Sequence, residues 1–89
     1  MNALRTSITL LTQTDCPHCD HAKEVLGRVG QDFLISVREV SLESHEGRRL
    51  GSHHGVLFAP GVIVDGQSFG YGRLSERRLR KELGGKTRR

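Results

Sequence analysis

The sequence predicts an α/β fold, a four-stranded mixed sheet with flanking helices in the order β-α-β-α-β-β-α. Three observations carry that prediction. A β-branched run, Ser7 to Thr12, is followed by apolar residues at helical spacing, Ala22, Val25, Leu26 and Val29, which reads as a strand feeding a crossover helix. Farther on, Gly61-Val62-Ile63-Val64 runs directly into Asp65-Gly66, a strong hairpin signal. The chain has 89 residues, room for a single domain with one modest core.

Taken in order, Ser-Ile-Thr-Leu-Leu-Thr over Ser7–Thr12 is partly alternating and suits a buried strand. The first helix is expected to begin within Cys16-Pro17-His18-Cys19, because proline in a first turn loses no hydrogen bond. Lys23, Glu24 and Arg28 take its polar side, and Gly30 is the expected stop. Phe33 to Val40 reads as the second strand, with Ile35 and Val37 on one face. Ser44 caps a short second helix running through Leu50 and His54 to Gly55, against the low helix propensity of Gly47 and Gly51. The third strand is Gly61–Val64, and the turn leads into Ser68-Phe69 as the fourth. Ser75 caps a last helix in which Leu79 and Leu83 form the buried stripe and Glu76 pairs with Arg80. The first two strands are then parallel through a right-handed crossover, and the last two form an antiparallel hairpin.

The single domain is expected over residues 1–89, with an ordered core about 6–84 and a basic tail at 85–89. Apolar residues are 35% of the chain but fall in periodic blocks, which argues against disorder. No apolar run approaches membrane-spanning length, and Met1-Asn2-Ala3-Leu4-Arg5 has no apolar signal core behind it. A cytoplasmic setting with no membrane partner is the expectation, and reducing cytosol disfavours a purely structural disulfide. The formal charge is +4, with much of the excess between Arg73 and Arg89. That distribution reads as a solvated helix face and tail. A basic adaptor docking this segment on an acidic partner or nucleic acid is the rival, but the chain lacks tryptophan and any aromatic-basic interleaving, so nucleic acid is not expected.

Both cysteines lie in Thr14-Asp15-Cys16-Pro17-His18-Cys19-Asp20-His21. Cys-x-x-Cys after a strand and at a helix start is the pattern of a dithiol–disulfide site, since two intervening residues bring both sulfurs onto one turn. A helix terminus contributes about 0.3–1 kcal/mol to an adjacent anion, with backbone N–H groups and a charged His18 adding to it and Asp15 working against it. A thiolate-rich Cys16 is expected. The alternative is a metal-binding or delivery module through Cys16, Cys19 and His21, with His45, His53 or His54 as a fourth ligand. The pattern lacks the second ligand pair that a convincing zinc site has. Tyr71 is expected either over the cysteines or as cover for the hairpin.

The segment from Thr12 to Leu26, Thr-Gln-Thr-Asp-Cys-Pro-His-Cys-Asp-His-Ala-Lys-Glu-Val-Leu, resembles the active-site segment of glutaredoxins and glutaredoxin-like members of the thioredoxin superfamily. Phe58-Ala59-Pro60-Gly61-Val62-Ile63-Val64-Asp65-Gly66 resembles the family segment in which a cis-proline precedes the hairpin. The resemblance runs from Ser7 to Leu83 and implies a thioredoxin-like (glutaredoxin-like) fold. It implies Cys16 as the attacking and Cys19 as the resolving cysteine of a Cys16–Cys19 redox disulfide, with Pro17 and His18 completing the motif. It further implies a cis bond between Ala59 and Pro60, with the Ala59 backbone holding an extended substrate. Gln13 and Gly70 fall at positions that bind substrate in the family. The implied activity is reduction or exchange of disulfides in protein or low-molecular-weight thiol substrates, without a bound cofactor. Reducing equivalents come from glutathione or a thioredoxin-type reductase. Here the chain departs from glutaredoxins: His18 replaces an aromatic, Gln13 a basic residue, and Gly70-Tyr71-Gly72-Arg73 lacks the acidic residues that grip glutathione.

Overall fold

A computed structural model describes residues 5–85 of the chain. The elements are β1 (Thr6–Thr12), α1 (Pro17–Asp32), β2 (Ile35–Ser41), α2 (His45–His54), β3 (Gly61–Val64), β4 (Gln67–Tyr71) and α3 (Glu76–Leu83). Their order is the predicted one. The sheet runs β2-β1-β3-β4, with β2 parallel to β1 and the other two pairings antiparallel. The expected basic tail lies, from residue 86 onward, outside the described residues.

Two apolar clusters cover the two faces of this sheet. On one face, Ile8, Leu10, Val62 and Val64 meet the α1 stripe and Leu79 and Leu83 of α3. On the other, Leu11, Val40 and Ile63 pack with Val56 and the half-buried Leu42 and Leu50. Alternation along β1 explains the division, since successive side chains leave a strand on opposite faces. Asp65 and Gly66 both have positive φ, 49° and 78°, as a two-residue hairpin turn requires. The Asp65 carboxylate also accepts the Ser7 N–H at 2.8 Å, tying the turn to the start of β1.

Two sequence expectations are corrected. Helix α1 does not stop at Gly30 but continues to Asp32, where the Phe33 N–H closes it on the Val29 carbonyl at 3.0 Å. One more turn carries the stripe from Val29 to a buried Phe33; that burial, at roughly 1.5–3 kcal/mol, exceeds the roughly 1 kcal/mol cost of an internal glycine. Strand β2 therefore begins at Ile35, not Phe33, and ends at Ser41. Ile35 and Val37 share one face as expected, and because β2 is an edge strand that face is only partly covered, with Ile35 half-buried and Val37 42% exposed.

The glycines of α2 are explained by close approach. A Cβ on Gly47 would run into the backbone of Ser41 and come within 2.9 Å of the Leu42 Cα. One on Gly51 would lie 2.8 Å from Leu42 Cδ1. The helix rests on the Ser41-Leu42 turn, anchored by the Ser44 side chain, whose oxygen accepts the Gly47 N–H at 2.9 Å. Gly47→Ala should therefore destabilise the protein by about 1–3 kcal/mol, as overpacking does. Gly27→Ala, on the open side of α1 where nothing lies within 4 Å, should stabilise it by about 0.5–1 kcal/mol. Urea midpoints of both variants check the pair, and equal shifts would refute the close-approach account.

Helices α1 and α3 are joined by a chain of ion pairs. Arg28 reaches Glu76 at 2.8 Å, Glu76 pairs with Arg80 at 3.0 Å, and Arg80 continues to Asp32 at 2.7 Å. Hydrogen bonds from Arg28 and then Arg80 hold the Glu76 carboxyl below the usual carboxylate range. A depressed folded pKa means that the stabilisation is complete above the unfolded value of about 4.3 and fades as pH falls through the folded one. A stability gap between wild type and Glu76→Gln should thus be present at neutral pH and close between about pH 5 and pH 2. Denaturant titrations across that range test it, and a gap that does not change with pH would exclude the charge as its source.

Candidate active site

The site forms where β1 ends. Beyond Thr12 the chain passes through Gln13-Thr14-Asp15 and enters α1 with Cys16 as its N-cap and Pro17 in the first turn. Asp15 turns the chain with φ of 52°, left-handed backbone that Asp and Asn tolerate better than other side-chain-bearing residues. The sequence offers no distinct signal for this turn, since an Asp before a helix start is ordinary loop composition. Cys16 carries the role that Ser or Asp has in most helices: its Sγ accepts the Cys19 N–H at 3.1 Å. Its carbonyl accepts the N–H groups of Cys19 at 3.0 Å and Asp20 at 3.2 Å.

Cys16 and Cys19 are joined in a disulfide with their Cα atoms 5.1 Å apart, within the range such a bond requires. The two sulfurs have different surroundings. Cys16 is half-exposed, whereas Cys19 is 2% exposed and packed inside the first turn. His18 and Asp20 are exposed on that turn. His21 is half-buried, and its Nδ1 is buried with no hydrogen-bond partner. Among the described residues, no three His, Cys, Asp or Glu side chains gather as a metal ion would require. His45, His53 and His54 lie on α2, the last two with their rings edge-to-face at 4.8 Å.

The second motif arrives at the same place through strand register. Antiparallel pairing sets Leu11 opposite Gly61, so Ala59-Pro60 falls beside Thr12-Gln13. The Ala59 N–H donates to Gln13 Oε1 at 3.3 Å, joining the two loops directly. The Ala59–Pro60 bond is cis, as the resemblance implied. Pro60 is buried, and its carbonyl accepts the Gly72 N–H at 2.8 Å. Gly70 sits in β4 opposite Val62, next to the strand that Ala59-Pro60 leads into. Tyr71 stacks edge-to-face on Phe58 at 5.0 Å. With Leu57 at 76% and Phe58 at 54% exposed, this makes an apolar rim on the segment leading to Pro60. The apolar character of Leu57-Phe58 was legible, but its exposure was not.

Charge in the two loops is acidic or neutral. No Lys or Arg occurs from Thr6 to Ala22 or from Leu50 to Gly72, while Asp15 and Asp20 flank the cysteines. The fixed positive influence on Cys16 is therefore the α1 N-terminus, with the Cys19 N–H directed at the sulfur.

No protein-family model and no curated protein sequence matches the chain. Solved structures do. A mutant thioredoxin from Halobacterium salinarum superposes with a TM-score of 0.71 at 19% identity, covering 92% of this chain and 74% of its own. The thioredoxin-like protein BC3987 gives 0.68 at 26% identity over 83% of this chain and 96% of its own. Glutaredoxin 1 from Francisella tularensis gives 0.57 at 14% identity over 90% and 94%. The fold is thioredoxin-like. On that fold the chain carries a Cys-x-x-Cys disulfide at the first turn of α1.

The unequal exposure of the cysteines has a direct chemical readout. After reduction, iodoacetamide at neutral pH should label Cys16 well before Cys19, as peptide mapping would show. Faster labelling of Cys19 would reverse the assignment of the exposed sulfur.

Proposed function

We propose that this chain is a thiol–disulfide oxidoreductase that reduces or exchanges disulfides in protein or low-molecular-weight thiol substrates. The observation that carries this reading is the Cys16–Cys19 disulfide, with one sulfur half-exposed at the helix start and the other enclosed behind it. In the reducing direction, the Cys16 thiolate attacks one sulfur of the substrate disulfide and displaces the other as a thiolate. Cys19, deprotonated, then attacks Cys16 Sγ and releases the second substrate thiol. Two electrons pass from the dithiol to the substrate, and two protons follow. The protein is left in the disulfide form.

The neighbouring groups have roles that follow from their chemistry. The helix terminus and the Cys19 N–H favour charge on Cys16 Sγ, and His18 adds to this when protonated. Pro17 fixes the first turn on which both sulfurs sit. The Ala59 backbone offers an edge against which an extended substrate can pair, and Gly70 leaves β4 without a side chain beside that region. The shortage of Lys and Arg in both loops, together with the rim of Leu57, Phe58 and Tyr71, favours uncharged or apolar segments over small anionic thiols. Glutathione and a thioredoxin-type reductase are the two candidate electron donors. A cytoplasmic location suits a protein that works as a reductant.

Two substitutions test the mechanism. Cys16→Ser should abolish turnover of a protein disulfide such as that of insulin, a loss of at least about a hundredfold, because the remaining thiol, Cys19, is enclosed and cannot reach the substrate. Cys19→Ser should accumulate a mixed disulfide between Cys16 and the substrate, detected by mass spectrometry. A Cys16→Ser protein that still turns over would sink the proposed mechanism.

A further inference from the structure

The hydrogen bond between Gln13 and Ala59 bears on which substrates the site accepts. Ala59 is 8% exposed, and its N–H donates to Gln13 Oε1 at 3.3 Å. That N–H belongs to the edge which, in the oxidoreductase reading, pairs with an extended substrate. Gln13 is itself exposed, three residues before Cys16 and across the register from Ala59. We propose that the Gln13 side chain is a built-in stand-in for a substrate carbonyl. It occupies the Ala59 N–H in the free protein and is displaced by the backbone carbonyl of an extended peptide.

The physical argument is one of exchange. Leaving a buried N–H without a partner costs more than the net worth of the bond, so a partner has to be present throughout. A long exposed side chain gives up rotamer freedom to supply one and regains it on release. An extended peptide brings its own carbonyl and trades places with Gln13. A small thiol brings none, and either reacts past Gln13 or leaves the N–H bare. The device therefore sorts substrates by backbone without any charged contact: an extended peptide has to compete with Gln13 for the Ala59 N–H, whereas a small thiol does not. This deepens the oxidoreductase reading and rests on it.

The test uses the oxidised protein, the form in which the contact is seen. Wild type, Gln13→Met and Gln13→Glu are each reacted with an uncharged seven-residue peptide carrying one central cysteine, and separately with 2-mercaptoethanol. In both reactions the incoming thiolate bonds to Cys16 Sγ, the bond to Cys19 breaks, and its electron pair leaves on Cys19 Sγ, which takes up a proton. The peptide or small thiol is oxidised into the mixed disulfide. The quantity read is the ratio of the two second-order rate constants.

Methionine keeps the length of Gln13 but cannot usefully accept, so the peptide no longer has to displace anything. The ratio should rise about two- to tenfold, the range of one neutral hydrogen bond. Glutamate holds the N–H through a charged acceptor, and the ratio should fall. Hydrogen exchange at the Ala59 amide, followed by NMR, should quicken in Gln13→Met. An unchanged ratio in both variants, a fall in Gln13→Met, or unaltered exchange at Ala59 overturns the proposal. A fall in Gln13→Met would mean that Gln13 merely holds the Ala59 segment in place. The two readings fail separately. Normal mixed disulfides at Cys16 with an unchanged ratio remove only the role of Gln13, whereas a wild-type protein that forms none with either thiol removes the oxidoreductase reading as well.

Discussion

The antiparallel pairing of β1 with β3 is the constraint on which the rest of the structure depends. Its register, Ile8 opposite Val64 through Leu11 opposite Gly61, decides which residues lie at the end of the sheet where the cysteines emerge. A slip by one residue would turn the whole of β3 over, driving Ile63 into the α1 face and Val62 and Val64 into the α2 face. Both apolar clusters draw on alternate residues of these two strands, so packing on either face resists the same error. The meeting of two segments some forty residues apart is thus fixed by the core, and the loops that carry the chemistry inherit their positions from it.

How much of this could be read from the chain depends on the range of the signal. Element order, the caps Ser44 and Ser75, the Asp65-Gly66 turn and the cysteine pair are written in a few adjacent residues, and each appears where the local pattern puts it. The errors arise where a local rule meets distant packing. Gly30 looks like a helix stop until Phe33 is seen to need one more turn for burial. Gly47 and Gly51 look like weak points in α2, but the backbone of the Ser41-Leu42 turn leaves no room for a side chain at Gly47, and the Leu42 side chain packs close against Gly51. The left-handed Asp15 and the bond from Ala59 to Gln13 had no signature that could be separated from ordinary loop composition.

At the helix start, one atom has two functions. Cys16 Sγ completes the first turn of α1 by accepting an N–H, and it is also half of the disulfide. A serine or aspartate cap would satisfy the helix equally well but has no redox chemistry. Any change in the bonding of this sulfur therefore acts on a group that terminates sixteen residues of helix. The Cys19 N–H, which would otherwise be unsatisfied at the helix end, is the one that this sulfur accepts. Helix capping and the disulfide thus meet on a single sulfur.

The edge strand β2 carries its charges in a way that affects more than its own chain. Arg38 reaches Glu46 of α2 at 2.9 Å on one face, and Glu39 reaches Lys23 of α1 at 3.5 Å on the other. Each holds the outermost strand to a helix. Those residues also stand at the middle of a strand whose outer side is open to pairing. A second copy laid antiparallel along the full length of Ile35–Ser41 would set Arg38 directly opposite its own counterpart, a like-charge pairing that sheets disfavour. The residues that pin β2 inward thus also make this edge a poor template for growth of the sheet from one molecule to the next.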